Sequence, residues 1–314
     1  MTTATFSICI PAYKSVTYLG RLLNSVFEQT FTDFEIVITD DSPDATVSDW
    51  LRANYNDPRI AYFKNPVALG TPENWNQSIR YAKGKWIKLM HDDDWFATPN
   101  ALQSFYDATV ANGKAGFYFC AYRNVDLDNP HIYKDFWLNR RHWKQIEKYP
   151  PNIYSQNIIG APSVVLVKRG IAQTYDNRLK WLVDIDFYIR AMACTTTCYI
   201  PEILVNVGQS KLQVTSYTHN NPEVEIPEGL ILLSKLKGSP FNHILYYDAW
   251  WRLLRNLKIR ESSRLLALAG KEEAPMELVK MLGDMRRIPP ALLSKGVFSK
   301  ALMVASYLKC RIFN

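Results

Sequence analysis

Trp86-Ile87-Lys88-Leu89-Met90-His91-Asp92-Asp93-Asp94-Trp95 runs an apolar, strand-like segment into three consecutive carboxylates. Like charges this close repel one another, so folding alone gives no reason to gather them at the end of a buried strand. A cation or a set of hydroxyl donors relieves that repulsion, and Mg²⁺ and Mn²⁺ take oxygen ligands. Mg²⁺ engages one or two carboxylates and draws its remaining ligands from water and phosphates. The stretch therefore reads in one of two ways. It is a site for a metal–diphosphate complex, or a solvated acidic turn in which Asp93 or Asp94 caps the helix that starts near Pro99.

Outward from this stretch, the first 120 residues alternate strand and helix signals. Apolar, β-rich runs at 5–10, 34–39, 60–64, 86–90 and 115–121 predict strands. Apolar spacing along one face predicts helices at 18–27, 47–55, 72–82 and 101–111. Alternation with short connections implies a mostly parallel sheet covered on both faces, whose ligands bind beyond the carboxyl ends of the strands. Pro11-Ala12-Tyr13 ends the first strand, Asp40-Asp41 the second and Asp92-Asp93-Asp94 the fourth, so the three converge on one edge. No G-x-G-x-x-G follows the first strand and no Walker A motif is present, which disfavours a dinucleotide or P-loop site. A nucleotide held without a glycine-rich cradle needs a metal for its phosphates, and the acidic cluster offers one.

The region 124–150 is polar, aromatic and basic without a clear period, and reads as a long loop or a substrate-covering excursion. Strands are expected at 163–167 and 203–207, with a helix at 185–193. Beyond Pro222 the strand signals stop. Helices are predicted at 222–237, 241–258, 259–269, 275–285 and 294–312, the last with apolar residues at 297, 301, 304, 305, 308 and 312.

Composition bounds the rest. The 314 residues are 47% hydrophobic and 21% charged, ordinary for a globular protein. Five cysteines lack a framework or zinc-site spacing and read as reduced thiols, which implies a reducing compartment. No signal peptide or membrane-length apolar run appears, so the expected location is cytoplasmic. Net charge is +7, and 235–314 alone carries 15 Lys/Arg against 6 Asp/Glu. That asymmetry suits an anionic surface, or simply a solvated helical face.

Five segments in register resemble the family 2 glycosyltransferases, which have the GT-A fold and use nucleotide-activated sugars. They are Ser7–Lys14 with the helix that follows; Phe34–Ser42; Leu69-Gly70 through Asn74-Trp75-Asn76-Gln77-Ser78; Ala82–Asp94; and Asp184-x-x-Phe187-x-x-Arg190. The resemblance covers roughly 5–215. It implies an α/β, GT-A type, Rossmann-like and mostly parallel sheet flanked by helices. The catalytic domain would be 1–221, its nucleotide-binding half about 1–121 and its acceptor-binding half about 122–221, followed by a basic, amphipathic, all-helical extension at 222–314.

Position by position, the resemblance assigns Pro11, Ala12 and Tyr13 to wrapping the nucleotide base, Asp41 to accepting a hydrogen bond from it and Asn76 to contacting base or ribose. Asp92 would meet the ribose or the metal, and Asp93 would be the main metal ligand, with Mn²⁺ or Mg²⁺ bridging to the diphosphate. Asp184 would be the base, with Asp186 as its rival. Residues alone leave other readings open: Asp41 as a turn residue, Tyr13 as a core aromatic, Asp184 as a helix cap. His91 stands where relatives often have an acid, and Ser210 where many have a histidine.

The implied activity is inverting, metal-assisted transfer from a nucleotide-diphosphate sugar, with a UDP-sugar expected. The acceptor would be a hydroxyl of a saccharide or lipid-linked saccharide, as in bacterial surface polysaccharide synthesis. The C-terminal helices would make peripheral contact with an anionic membrane, or pack on the domain or in a dimer. Nucleic acid is not an expected partner, since Trp250–Arg255 alone is too little for it. The alternatives are a sugar-nucleotide nucleotidyltransferase and a non-catalytic basic binding module.

Overall fold

The computed structural model describes residues 4–171, 174–210, 218–270 and 273–312. They form two compact units. The first comprises Met1–Trp143, Ile158–Asn177 and Asp186–Gln213; the second Lys144–Asn157, Arg178–Ile185 and Val214–Asn314.

The first unit holds one mixed sheet. In chain order its elements begin with β1 (Phe6–Ala12), α1 (Val16–Phe27), β2 (Phe34–Asp40), α2 (Thr46–Asn54), β3 (Ile60–Lys64), α3 (Glu73–Tyr81), β4 (Trp86–Leu89), β5 (Trp95–Phe96) and α4 (Ala101–Ala111). Then come β6 (Ala115–Asp126), β7 (Tyr133–Phe136), β8 (Val165–Lys168) and β9 (Thr196–Gln209), with two helices shared between the units: α5 (Arg140–Lys148), of which 140–143 lie here, and α6 (Val183–Cys194), of which 186–194 lie here while Asp184 belongs to the second unit. The strand order is β3-β2-β1-β4-β8-β6-β9-β5, with β7 beside β6. The run β3-β2-β1-β4 and the β6–β9 pair are parallel.

β1 is buried at all seven positions, as a strand covered on both faces must be, and its sequence is accordingly an apolar run without polar alternation. Register then sets the site. Ala12 pairs with Asp40, and Cys9 with Leu89. Met90 N–H continues the ladder to the Cys9 carbonyl at 2.9 Å, so the chain from His91 onward leaves the sheet beside Pro11–Tyr13.

Two expectations change. The 124–150 region is ordered as the end of β6, then β7 and α5. Helix α5 escaped notice because Arg140-Arg-His-Trp-Lys-Gln-Ile-Glu-Lys148 buries only Ile146 and so carries no apolar stripe. β9 begins at Thr196, seven residues before the expected start. A register break between Cys120↔Ile200 and Ala121↔Ile203 absorbs Pro201 and Glu202, which read as a strand stop.

The second unit is helical. A 3₁₀ turn at Pro150–Ser155 joins α7 (Pro222–Lys235), α8 (Ile244–Asn256), α9 (Ser262–Ala269), α10 (Met276–Arg286), α11 (Pro290–Leu293) and α12 (Gly296–Ile312). Trp250, Trp251, Tyr246 and Tyr247 of α8 form its core with Met281, Leu282 and Met303.

α12 packs with the face opposite to its apolar stripe. Ser299, Met303, Ser306 and Cys310 are buried, whereas Val297 is 84% and Ile312 74% exposed, with Phe298 and Leu308 also outside. The inner serines are needed there. Ser299 Oγ accepts from Trp251 Nε1 at 3.0 Å, and Ser306 Oγ lies 2.7 Å from Tyr247 Oη and 2.7 Å from Asp284 Oδ2. Buried indole and phenol groups require such partners. Among the described residues no helix is long and apolar enough to cross a membrane.

Candidate active site

Pro11 and Ala12 are the buried end of β1, and the loop after it leaves Tyr13 53% exposed, which removes the core-aromatic reading. Lys14 follows with φ 61°, its N–H donating to Ser42 Oγ at 2.7 Å. Asp41 is buried and holds the 65–70 loop. Its Oδ1 accepts from Asn65 Nδ2 (2.7 Å) and Leu69 N–H (3.0 Å), its Oδ2 from Gly70 N–H (2.7 Å). A carboxylate has about four acceptor positions, so one remains for a further donor.

Asn76 has a different position from the one the resemblance suggests. It is buried. Its amide nitrogen donates to Glu73 Oε2, the Tyr175 carbonyl and Asn177 Oδ1, and its oxygen accepts from Tyr175 N–H at 2.7 Å. Every donor of that amide is engaged within the protein. Asn76 therefore latches the 175–177 segment and has no donor left for a base or ribose.

The acidic turn gathers His91, Asp93 and Asp94, whose candidate ligand atoms all lie within 4.8 Å of one another. Three neighbours fix it. Arg21 Nη2 donates to the Asp93 carbonyl at 2.9 Å while its guanidinium stacks on Trp95, 3.7 Å from the ring centre. Gly208 N–H donates to Asp94 Oδ1 at 2.9 Å. The His91 ring packs at a tilt against Trp75 with ring centres 4.6 Å apart, and its backbone N–H donates to Ser163 Oγ at 3.0 Å. Lys88, fully buried below, donates to the Ser163 and Val165 carbonyls.

Burial dominates the electrostatics of the turn. Burial first, and then the charge of Asp93, raises Asp92 to about 7, against opposing N–H groups that include Tyr13's. The same two causes push Asp94 well above the usual carboxylate range. Burial pulls His91 below its ordinary value, which keeps the imidazole neutral and able to bind a metal. Asp94 Oδ2 and His91 Nε2 are buried without a hydrogen-bond partner among the described residues. Two carboxylates and an imidazole, with one orphaned atom each on Asp94 and His91, suit a divalent cation. Beside Asp93, the acid the resemblance points to, the structure gathers His91 and Asp94, a grouping that the His-x-Asp-Asp spacing allows.

Asp184 lies in the first turn of α6, half-buried. Its Oδ2 accepts from Asn157 Nδ2 and its Oδ1 from Ile185 N–H, both at 2.7 Å. Burial raises it to about 7, the partial opposition coming from those donors. Its rival Asp186 is buried and paired with Arg190 at 2.9 Å. Phe187 stacks on Tyr175 at 4.3 Å and Arg190 reaches the Thr174 carbonyl, so Phe187 and Arg190 of the D-x-x-F-x-x-R spacing are anchors. Gln209 donates to the Gly208 carbonyl.

A mostly parallel sheet with an acidic, metal-competent turn at its strand ends defines the GT-A class of nucleotide-sugar fold. Residues 7–174 match the model of glycosyl transferase family 2. The chain belongs to that family. It is 27% identical over 225 residues to the putative colanic acid biosynthesis glycosyl transferase WcaA of Escherichia coli, covering 67% of this chain and 75% of that one. The fold is similar to that of S. aureus TarS solved with UDP-GlcNAc (TM-score 0.57, 16% identity, 99% of this chain and 92% of that chain). It is also similar to the mannosyltransferase PcManGT of Pyrobaculum calidifontis, solved with GDP-Man and Mn²⁺ (TM-score 0.58, 13% identity, 98% and 87%). Matches to other curated relatives span 65%, 60% and 39% of their lengths.

Proposed function

We propose that the protein is an inverting glycosyltransferase that moves a sugar from a nucleotide diphosphate, a UDP-sugar in the first instance, to a hydroxyl of a saccharide or lipid-linked saccharide. The observation that carries this reading is the turn at His91, Asp93 and Asp94, with one orphaned atom each on Asp94 and His91. Asp93, with His91 and Asp94, would hold Mn²⁺ or Mg²⁺. When bound, the cation supplies positive charge against the departing diphosphate. Pro11, Ala12 and Tyr13 enclose the base, Asp41 offers it the remaining acceptor position, and Asp92 meets the ribose. Residues up to about 121 serve the donor and those of about 122–221 the acceptor.

Asp184 acts on the acceptor. The acceptor oxygen bonds to the anomeric carbon from the face opposite the diphosphate, the carbon–oxygen bond to the diphosphate breaks, and the hydroxyl proton passes to the Asp184 carboxylate. A base that titrates near 7 is matched to that task at neutral pH. Asn157 and the Ile185 N–H hold it in one orientation.

Surface-polysaccharide synthesis is the setting we favour, because WcaA carries such a name. Within that reading the enzyme works at the inner face of the cytoplasmic membrane, and α12 is the contact. Arg286 to Ile312 contains six Lys/Arg and no Asp/Glu, and the helix turns an apolar stripe outward. On this helix Lys300 and Lys309 pair with Asp248 and Asp284, so the outward apolar stripe and Arg311 carry the fit to an anionic bilayer. The transferase reading is tested by donor hydrolysis with Mn²⁺. Turnover of at least one sugar nucleotide supports it, and none across UDP-, GDP-, dTDP- and CDP-sugars counts against it.

A further inference from the structure

The second unit contains a cleft of about 150 Å³ lined by Tyr154, Trp181, Glu225, Arg252 and Asn256, among others. That is smaller than the roughly 300–1,000 Å³ that encloses a drug-sized ligand, and suits a single ring. Its walls are built. Glu228, itself buried, accepts from the backbone N–H groups of Lys180, Trp181 and Leu182 at 2.8, 2.9 and 2.8 Å, fixing the segment that carries Trp181. Arg252 is held by Asp248 at 3.1 Å and by the Ser155 carbonyl at 2.6 Å.

Glu225 supplies the chemistry. It is 8% exposed; the backbone N–H groups of Asn220 and Asn221 face its carboxyl and oppose part of the effect of burial, while its Oε1 has no hydrogen-bond partner among the described residues. A buried carboxylate oxygen without a donor is costly unless a ligand provides one. Tyr154 and Trp181 offer ring surface in the same cleft. Aromatic surface beside a carboxylate fits two ligands, an ammonium group or a pyranose. The Arg252 guanidinium lining the cleft opposes a second cation, whereas sugar hydroxyls donate to Glu225 and accept from Arg252.

We infer that this cleft binds one uncharged pyranose ring of the acceptor saccharide. The role as an acceptor subsite rests on the transferase reading, because Leu182 of the cleft lies two residues before Asp184.

The test follows the indole ¹H–¹⁵N signal of Trp181, assigned with Trp181→Phe. Methyl glucoside, galactoside, rhamnoside and N-acetylglucosaminide are titrated without nucleotide or metal. At least one glycoside shifts the signal saturably, and Glu225→Gln weakens that binding about tenfold or more. Thermal melting confirms that the variant is folded, and Arg252→Met provides a second variant expected to weaken binding. The inference is overturned if no glycoside shifts the signal at its highest soluble concentration, if both variants bind as the wild type does, or if tetramethylammonium saturates the cleft and the glycosides do not. Donor binding is read separately by calorimetry. A protein that binds a sugar nucleotide and no glycoside refutes the cleft alone; the reverse refutes the transferase reading alone.

Discussion

The N–H of Gly208 donates to Asp94 Oδ1 at 2.9 Å, tying the end of β9 to the acidic turn across 114 residues. The same glycine is closed in from the other side, since a Cβ there would lie 2.4 Å from the Asp93 carbonyl oxygen. Close backbone approach, not a turn, requires glycine here. Gly208→Ala should push the acidic turn away from β9. We expect a loss of about 1–3 kcal/mol in stability, as for overpacked interiors, and weaker Mn²⁺ binding. Chemical denaturation and Mn²⁺ titration by electron paramagnetic resonance measure the two effects.

In the proposed site His91 and Asp94 would join Asp93 as metal ligands. Asp94→Asn keeps an acceptor for Gly208 N–H while removing the charge, so Mn²⁺ affinity should fall at least about tenfold with the fold retained. His91→Phe keeps a ring against Trp75 and should also weaken the metal. Unchanged affinity in both variants would leave Asp93 without these partners.

The pH dependence of transfer should follow Asp184. With its carboxyl near 7, the rate should climb as pH rises towards 7 and level off above it. Asp184→Asn should lower transfer by about 10²–10⁴-fold while donor binding persists. The stability effect has the opposite slope. An aspartate with a raised folded-state value binds more protons folded than unfolded between about 4 and 7, so its contribution declines as pH rises through that window. Asp184→Asn should therefore flatten the decline, which denaturation midpoints at pH 4.5 and 8 would show.

The two faces of α12 should respond differently to mutation. Phe298→Ser with Leu308→Ser removes exposed apolar area, and should reduce sedimentation with phosphatidylglycerol vesicles while leaving the melting temperature close to wild type. Ser306→Ala removes the shared partner of Tyr247 and Asp284, and should cost about 1–2 kcal/mol of stability. Equal vesicle binding by the double variant would contradict the membrane assignment.

Much of this was legible in the sequence, for physical reasons. Buried parallel strands need unbroken apolar runs, so β1, β2 and β4 announced themselves, and the motifs at their ends fell on one edge. Elements stabilised mainly by hydrogen bonds and by their surroundings were not legible. α5 is too polar to show a stripe, and the start of β9 is masked by Pro201. For α12, periodicity located the helix but could not say which side packs, because the buried tyrosine and tryptophan groups of α8 call for serines. Asn76 looked like a ligand contact since its type and place suited one, but only the fold reveals that Tyr175 occupies its amide.

The central claim is that the His91–Asp93–Asp94 turn binds a metal–diphosphate complex. Calorimetric titration of sugar nucleotides with Mn²⁺, Mg²⁺ or chelator, on wild type and Asp93→Ala, tests it most directly. At least one donor should bind only with a divalent cation, and that binding should disappear in Asp93→Ala. Binding that is the same with chelator and in Asp93→Ala, or no binding of any sugar nucleotide with either metal, would contradict it.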